Sequence, residues 1–187
     1  MDIGWINITG IESHEFSCGH CGIRVGSDRG YSAQSPLAGK QAKIYICPHC
    51  ARPSFIHAGA QMPDVAPGND VADVPENVHS LYDESRRCVA SSCYTAAVLA
   101  CRKLLMNIAV TEGAAEGLKF IEYIDYLADN GFVPPKGRGW VDHIRKKGNE
   151  ATHEILAMTH DDATELILFS EMLLKFIYEF PARIPKA

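Results

Sequence analysis

An α+β chain is predicted by three observations, taken in chain order. The first third is rich in glycine, carries short β-like runs such as "AKIYIC", and holds two C-x2-C pairs. An acidic, proline-bearing stretch follows. From about residue 76 apolar residues recur at helical spacing to the end of the chain. The expected architecture is a small N-terminal β ribbon over 1–57, a linker over 58–75, and an all-α four-helix bundle over 76–187.

The ribbon rests on its cysteines. "SCGHCG" and "YICPHCA" place Cys18 two residues from Cys21 and Cys47 two residues from Cys50, with 25 residues between the pairs. Two tight C-x2-C turns supply four thiolates, the set that closes a tetrahedral zinc site. Gly19, Gly22 and Pro48 suit such turns, and Phe16, Tyr45 and Ile46 lead into them as strands would. A redox pair would need only one C-x2-C and a βαβ setting, so the doubled spacing favours one structural Zn2+ per chain. Four cysteines leave no open position, which makes His20 and His49 exposed turn residues rather than ligands. A ribbon this small buries little core, so metal binding would supply much of its folding free energy.

Residues 58–75 hold three prolines and three aspartates and neither Lys nor Arg, as an extended connection would. A first helix is expected over 76–110; its "ASSCYTAAVLAC" is small enough for close helix approach. Cys88, Cys93 and Cys101 fall in this pattern and read as buried thiols. A second helix over 115–129 turns Leu118, Ile121, Ile124 and Leu127 inward and stops at Asn130-Gly131. A third spans 138–157 on Val141, Ile144, Gly148, Ala151 and Ile155. A fourth opens at Thr159-His160-Asp161-Asp162, a capping-box-like start with acids in its first turn. It buries Leu166, Ile167, Leu173, Leu174 and Ile177 and closes at Pro181.

The chain of 187 residues is 47% apolar and carries a net charge of −5. A core can form, and the overall field draws the protein to neither nucleic acid nor membrane. No apolar run approaches the roughly 20 residues that span a bilayer. "MDIGWINITGIESHEF" lacks the basic start and apolar stretch of an export signal, so a cytoplasmic location and no membrane partner are expected. Reduced, metal-binding cysteines suit that compartment.

One basic cluster stands out. Lys136, Arg138, Arg145, Lys146 and Lys147 face only Asp142 and Glu150 between 134 and 153. A cluster of this kind holds phosphates, so RNA or DNA is a candidate partner. On the third helix Arg145, Asn149 and His153 recur every four residues and form one stripe. That stripe is either a site or the wet flank of a packed helix; Gly148 beside Asn149 allows a close helix contact that Asn149 could bridge. Arg102 sits on an apolar face of the first helix and needs a partner, with Asp83, Glu84 and the acids of the second helix available.

The segments "LYDESRRCVASSCYTAAVLACRKLL", "IDYLADNGFVP" and "HIRKKGNEATH" together resemble the domain of unknown function 4145, over about residues 78–180. The match lies in an Ala/Tyr-rich first helix with an arginine, a leucine-to-glycine link, and an R-x2-G-N-x3-H helix. Met106 stands where the family usually has a glutamate. The family looks like a branch of the HEPN helical bundles, and four-cysteine ribbons accompany such domains. The resemblance implies a HEPN-like bundle and a prokaryotic or phage nucleic-acid or defence setting; a homodimer is the expected assembly. Active HEPN ribonucleases carry R-x4-6-H. Here Arg145 to His153 is R-x7-H, and Gly148 stands where the nearer arginine would be.

Two functions follow from these readings. The favoured one is a non-catalytic adaptor that binds nucleic acid or protein. The alternative is a metal-independent ribonuclease in a dimer cleft. In it His153 takes the 2′-hydroxyl proton, Arg145 stabilises the phosphate, and Asn149 orients one of them. Two helical turns, about 12 Å, separate Arg145 from His153, so one helix alone serves one phosphate poorly.

Overall fold

The computed structural model describes residues 4–34, 41–134, 139–141, 144 and 157–184. It divides into two compact units, Met1–Ala66 and Pro67–Ala187. The fold class is α+β, with an antiparallel sheet followed by helices.

The first unit is a five-stranded meander in chain order: β1 (Thr9–Ser17), β2 (Arg24–Ser32), β3 (Lys43–Ile46), β4 (Pro53–His57) and β5 (Ala60–Met62). Every neighbouring pair is antiparallel. β1 and β2 close at Ser17↔Arg24, and β3 and β4 at Ile46↔Pro53, so each cysteine pair occupies the loop of a hairpin. Phe16, Cys18, Tyr45 and Cys47 form the buried cluster, with Ile11, Val25 and Ile56 packed at its edge.

The second unit contains α1 (Glu76–Ala90), α2 (Tyr94–Thr111), α3 (Phe120–Asp129) and α4 (His160–Leu174). A π turn, Lys175–Glu179, and a short last turn, Phe180–Ala182, continue α4. Helical backbone is also present at Gly139, Trp140, Val141 and Ile144. Val141 and Ile144 are buried there, and the Trp140 ring meets Phe169 of α4 edge-on at 5.2 Å. α2 lies at the centre: Ala97, Val98, Cys101, Leu104, Leu105 and Ile108 are all fully buried. Burial pushes the Cys101 thiol up to about 12, against the lowering effect of the Ser85 and Ser170 hydroxyls, which makes it inert near neutrality. No helix among the described residues is long and apolar enough to cross a membrane.

The expected first helix over 76–110 is two helices. Ser91, Ser92 and Cys93 break it, with Ser92 at φ +60° and the Cys93 amide bonded back to Cys88 O at 2.8 Å. This is a left-handed helix cap made without glycine, so the usual stop signal is missing from the sequence. The break also leaves Cys93 exposed instead of buried. The other boundaries follow their local signals. α3 stops at Asn130, with Gly131 at φ +84°. Thr159 caps α4: its hydroxyl accepts from Asp162 N at 3.2 Å, and the Asp162 carboxylate accepts from Thr159 N at 2.9 Å.

The stretch 58–75, read from sequence as one linker, is used in three ways. Ala60–Met62 pairs with β4 and completes the sheet, because Phe55, Ile56 and His57 leave an edge to cover. The division between units falls at Ala66/Pro67. Residues 67–72 are then strapped to the helices. Arg86 donates to Pro67 O (2.9 Å) and Gly68 O (3.0 Å), and the Tyr82 hydroxyl donates to Asn69 O (3.0 Å). Glu171 accepts from the Asn69 amide N at 3.0 Å and Nδ2 at 2.9 Å, and Glu179 accepts from Ala72 N at 3.3 Å. Gly68 (φ +72°) permits the approach: an added Cβ would stand 2.8 Å from the Tyr82 hydroxyl and 2.9 Å from Glu171 Oε2.

Candidate metal centre

Each cysteine pair sits in a loop with the same backbone bonding. In the first, Cys18 N donates to Ile23 O at 3.0 Å and Gly22 N to Cys18 O at 2.8 Å. In the second, Cys47 N donates to Arg52 O at 2.9 Å and Ala51 N to Cys47 O at 2.9 Å. The turn needs a left-handed residue just after its second cysteine: Gly22 (φ +71°) in one loop and Ala51 (φ +57°) in the other. Backbone N–H groups then point at sulfur, from Ile23 to Cys21, from Arg52 to Cys50, and from Cys50 and His49 to Cys47.

The four sulfurs converge within 4.8 Å of one another. Cys18 Sγ lies 3.7 Å from Cys50 Sγ, and Cys21 Sγ lies 3.9 Å from Cys47 Sγ. A disulfide would bring two sulfurs to about 2.05 Å. Thiolates held about 2.3 Å from a central zinc make a tetrahedron with edges of about 3.8 Å. These two spacings match edges of that cage, and the N–H groups aimed at sulfur stabilise the thiolates such a cage requires. The residues present therefore fit a metal ion held by Cys18, Cys21, Cys47 and Cys50.

Without a cation, four thiolates cannot coexist so closely. Burial pushes the Cys50 thiol up to about 12 and raises Cys21 as well. At Cys47 burial also acts upward, but the N–H groups of Cys50 and His49 outweigh it and the thiol is lowered. Cys18 and Cys47 are buried, while Cys21 and Cys50 are half-exposed. His20 and His49 are exposed and stand outside the cluster; the His20 ring hydrogen-bonds with Pro53 O at 3.0 Å.

Two supports of the loops carry no sequence motif. The Trp5 indole donates to Ala51 O at 2.6 Å, bracing the second loop. Gln61 Nε2 donates to Ser17 O at 2.8 Å and Pro63 O at 3.0 Å, which lays the chain after β5 across the first loop. A Cβ at Gly19 would meet Pro63 O at 2.2 Å and Asp64 O at 2.6 Å, so that glycine serves close backbone approach. A tryptophan and a glutamine within reach of a cysteine turn are the only hint the sequence offers.

The other candidate residues stand differently. Lys136, Arg138, Arg145, Lys146, Lys147, Asn149 and His153 lie outside the described residues. Arg102 places its guanidinium 4.1 Å from the centre of the Phe120 ring, a cation–π contact. Asp83 bonds Arg86 at 3.3 Å and Arg87 at 3.0 Å. Arg102 also lines an open groove of about 470 Å³ with Leu99, Met106 and Tyr123.

A four-cysteine β unit followed by a helical unit is the class that fold and site define. The profile described as Domain of unknown function (DUF4145) matches residues 83–186, more than half of the chain, and the protein belongs to that family. The metal cluster precedes the matched residues. No curated protein and no solved structure matches the chain.

Proposed function

We propose that the chain is a non-catalytic binding module whose ribbon is held by one structural zinc ion. The observation that carries this reading is the closed cage of Cys18, Cys21, Cys47 and Cys50, which leaves no ligand position for water or substrate. A metal in such a cage holds hairpin loops in place and does no chemistry. Sulfur-only ligation excludes Mg2+ and Ca2+, which take oxygen ligands, and suits zinc, with iron the other metal that four thiolates hold.

The partner we infer is nucleic acid. The support is compositional: Lys136, Arg138, Arg145, Lys146 and Lys147 concentrate positive charge in a chain of net charge −5. The R-x7-H spacing of Arg145 and His153 departs from the nuclease pattern and favours binding over cleavage. A HEPN-like bundle and a defence setting are part of the same reading, through the family's likeness to those bundles.

The test is metal analysis joined to titration with labelled single- and double-stranded RNA and DNA over a salt series. About one equivalent of zinc and salt-sensitive binding without cleavage are expected. Arg145→Ala and Lys146→Ala should each lower the salt slope by about one unit. Cleavage that persists in chelator and is abolished by His153→Ala would establish the ribonuclease instead. Absence of both binding and cleavage would overturn the nucleic-acid reading.

A further inference from the structure

Three of the seven cysteines lie outside the ribbon, and two of them flank one corner of the helical unit. Cys88 is in the last turn of α1, and Cys93 is the cap residue at the start of α2. Between them the chain turns through Ser92 at φ +60°. Two nested backbone bonds define the turn: Cys93 N donates to Cys88 O at 2.8 Å, and Ser92 N donates to Val89 O at 2.9 Å. In a helix stop of this pattern the two residues that share the outer bond bring their side chains together, commonly as an apolar pair. Here both are thiols.

The backbone puts them within disulfide reach. Fully straightened, the bonded path from Cys88 Cα through its carbonyl to Cys93 Cα is about 7 Å long. The angle at the carbonyl carbon shortens it into the range of about 4.4–6.8 Å that a disulfide spans. Burial raises the Cys88 thiol, and the neighbouring Cys93 sulfur adds to the rise. Access divides the pair: Cys93 is exposed, while Cys88 is half-buried against the helical core.

We infer that Cys88 and Cys93 form a reversible redox pair, oxidised by small disulfides of the glutathione class. The Cys93 thiolate attacks one sulfur of the small disulfide. That S–S bond breaks, one small thiolate leaves, and a mixed disulfide stands on Cys93. Cys88, as its thiolate, then attacks the Cys93 sulfur and expels the second small thiolate. Two protein thiols and one small disulfide become one protein disulfide and two small thiols, and the two protein protons end on the leaving sulfurs. The second step is intramolecular, because the cap already holds Cys88 beside the mixed disulfide. The other thiols stand aside. Cys101 is fully buried, with its thiol pushed up to about 12. Cys18, Cys21, Cys47 and Cys50 lie together in the cage that fits a metal ion. Neither that metal nor nucleic acid enters the exchange, so the pair stands apart from the function proposed above.

The experiment exposes the full metal-loaded chain to glutathione, from wholly reduced to wholly oxidised. Each sample is quenched by alkylation under denaturing conditions and read by intact mass and fragment mapping. Wild type should lose two hydrogens, with Cys88 and Cys93 alone escaping alkylation, and dithiothreitol should restore both thiols. Cys88→Ser removes the resolving sulfur and should hold glutathione on Cys93, at least about tenfold more than wild type retains. Cys93→Ser should show neither the disulfide nor that adduct. Circular dichroism checks that both variants fold, and the wild-type result stands by itself if either does not. A wild type whose two thiols stay free at every ratio would overturn the inference. So would one that keeps glutathione on Cys93, or that joins either cysteine to a different partner.

Discussion

In the ribbon unit the buried cluster is Phe16, Cys18, Tyr45 and Cys47, so half of its members are candidate metal ligands. In the helical unit the buried cluster runs from Val71 through α1, α2, α3 and α4 and is mostly aliphatic and aromatic, with Cys101 as its one buried thiol. One unit gathers its core around four cysteines that fit a metal ion, and the other around packed side chains. The difference shows how the same chain stabilises a small region that lacks apolar volume and a larger one that does not. The two should therefore fail under different insults.

The largest expected effect is metal removal. Structural zinc is worth about 10–16 kcal/mol in small domains near neutral pH, far more than the ribbon's few apolar contacts. A strong chelator, or Cys47→Ser, should melt Thr9–Met62 and leave the helical unit's amide protection in place. Hydrogen exchange resolved by segment checks this. Equal loss of protection in both units would show that they do not differ as described.

Leu166→Ala is the reciprocal perturbation. Leu166 is fully buried, and truncation leaves a cavity costing about 2–5 kcal/mol. The helical transition should drop in thermal midpoint while metal affinity, read by competition with a chromophoric chelator, stays at the wild-type value.

What the sequence disclosed divides along the same line. The cysteine loops, the Thr159 cap and the Asn130-Gly131 stop were legible because each is made by residues within a few positions of one another. The strap was not. Asn69 is held by Glu171, 102 positions away, and nothing in "PGNDVAD" announces that partner. The break at Ser92 was hidden because a serine fills a position where glycine would have marked it. The ring of Phe120 under the Arg102 guanidinium was hidden too, because no charge count reveals an aromatic neighbour. The Arg145/Asn149/His153 stripe falls outside the described residues.

Acid should sharpen the contrast inside the helical unit. Burial would raise the Glu171 carboxyl, but the Lys175 ammonium and the Asn69 amides outweigh it and hold it below the ordinary 4.5. A carboxylate depressed on folding contributes fully above its unfolded value and loses that contribution as pH falls through the folded one. Stability contributed by the strap should therefore be constant above about pH 4.5 and decline below it. Glu171→Gln should cost about 1–3 kcal/mol at neutral pH and flatten the decline. A pH series of thermal midpoints for wild type and variant checks both statements. An unchanged acid slope would remove Glu171 from the strap's energetics.

The smallest effect compares the regions most directly, because one kind of substitution is made in each. Ala51 and Ser92 both hold left-handed backbone, at φ +57° and φ +60°, where a side chain costs about 1–2 kcal/mol relative to glycine. Gly22, at φ +71°, shows the residue that the ribbon's other loop uses for the same job. Ser92→Gly should raise the helical unit's midpoint, because it caps α1 without strain, and should leave metal affinity alone. Ala51→Gly should instead tighten metal binding, because the strain it relieves belongs to the loop that aims Cys47 and Cys50. Gly22→Ala should weaken binding by a similar amount, about 1 kcal/mol or fivefold, in the mirror position. The freedom glycine has in the unfolded chain trims the gain at Ala51 and the loss at Gly22 alike, so the two should be comparable in size. Competition titrations on the three variants read all of this. If Ala51→Gly shifted only the helical midpoint, the loop would not be the element that holds the sulfurs in place.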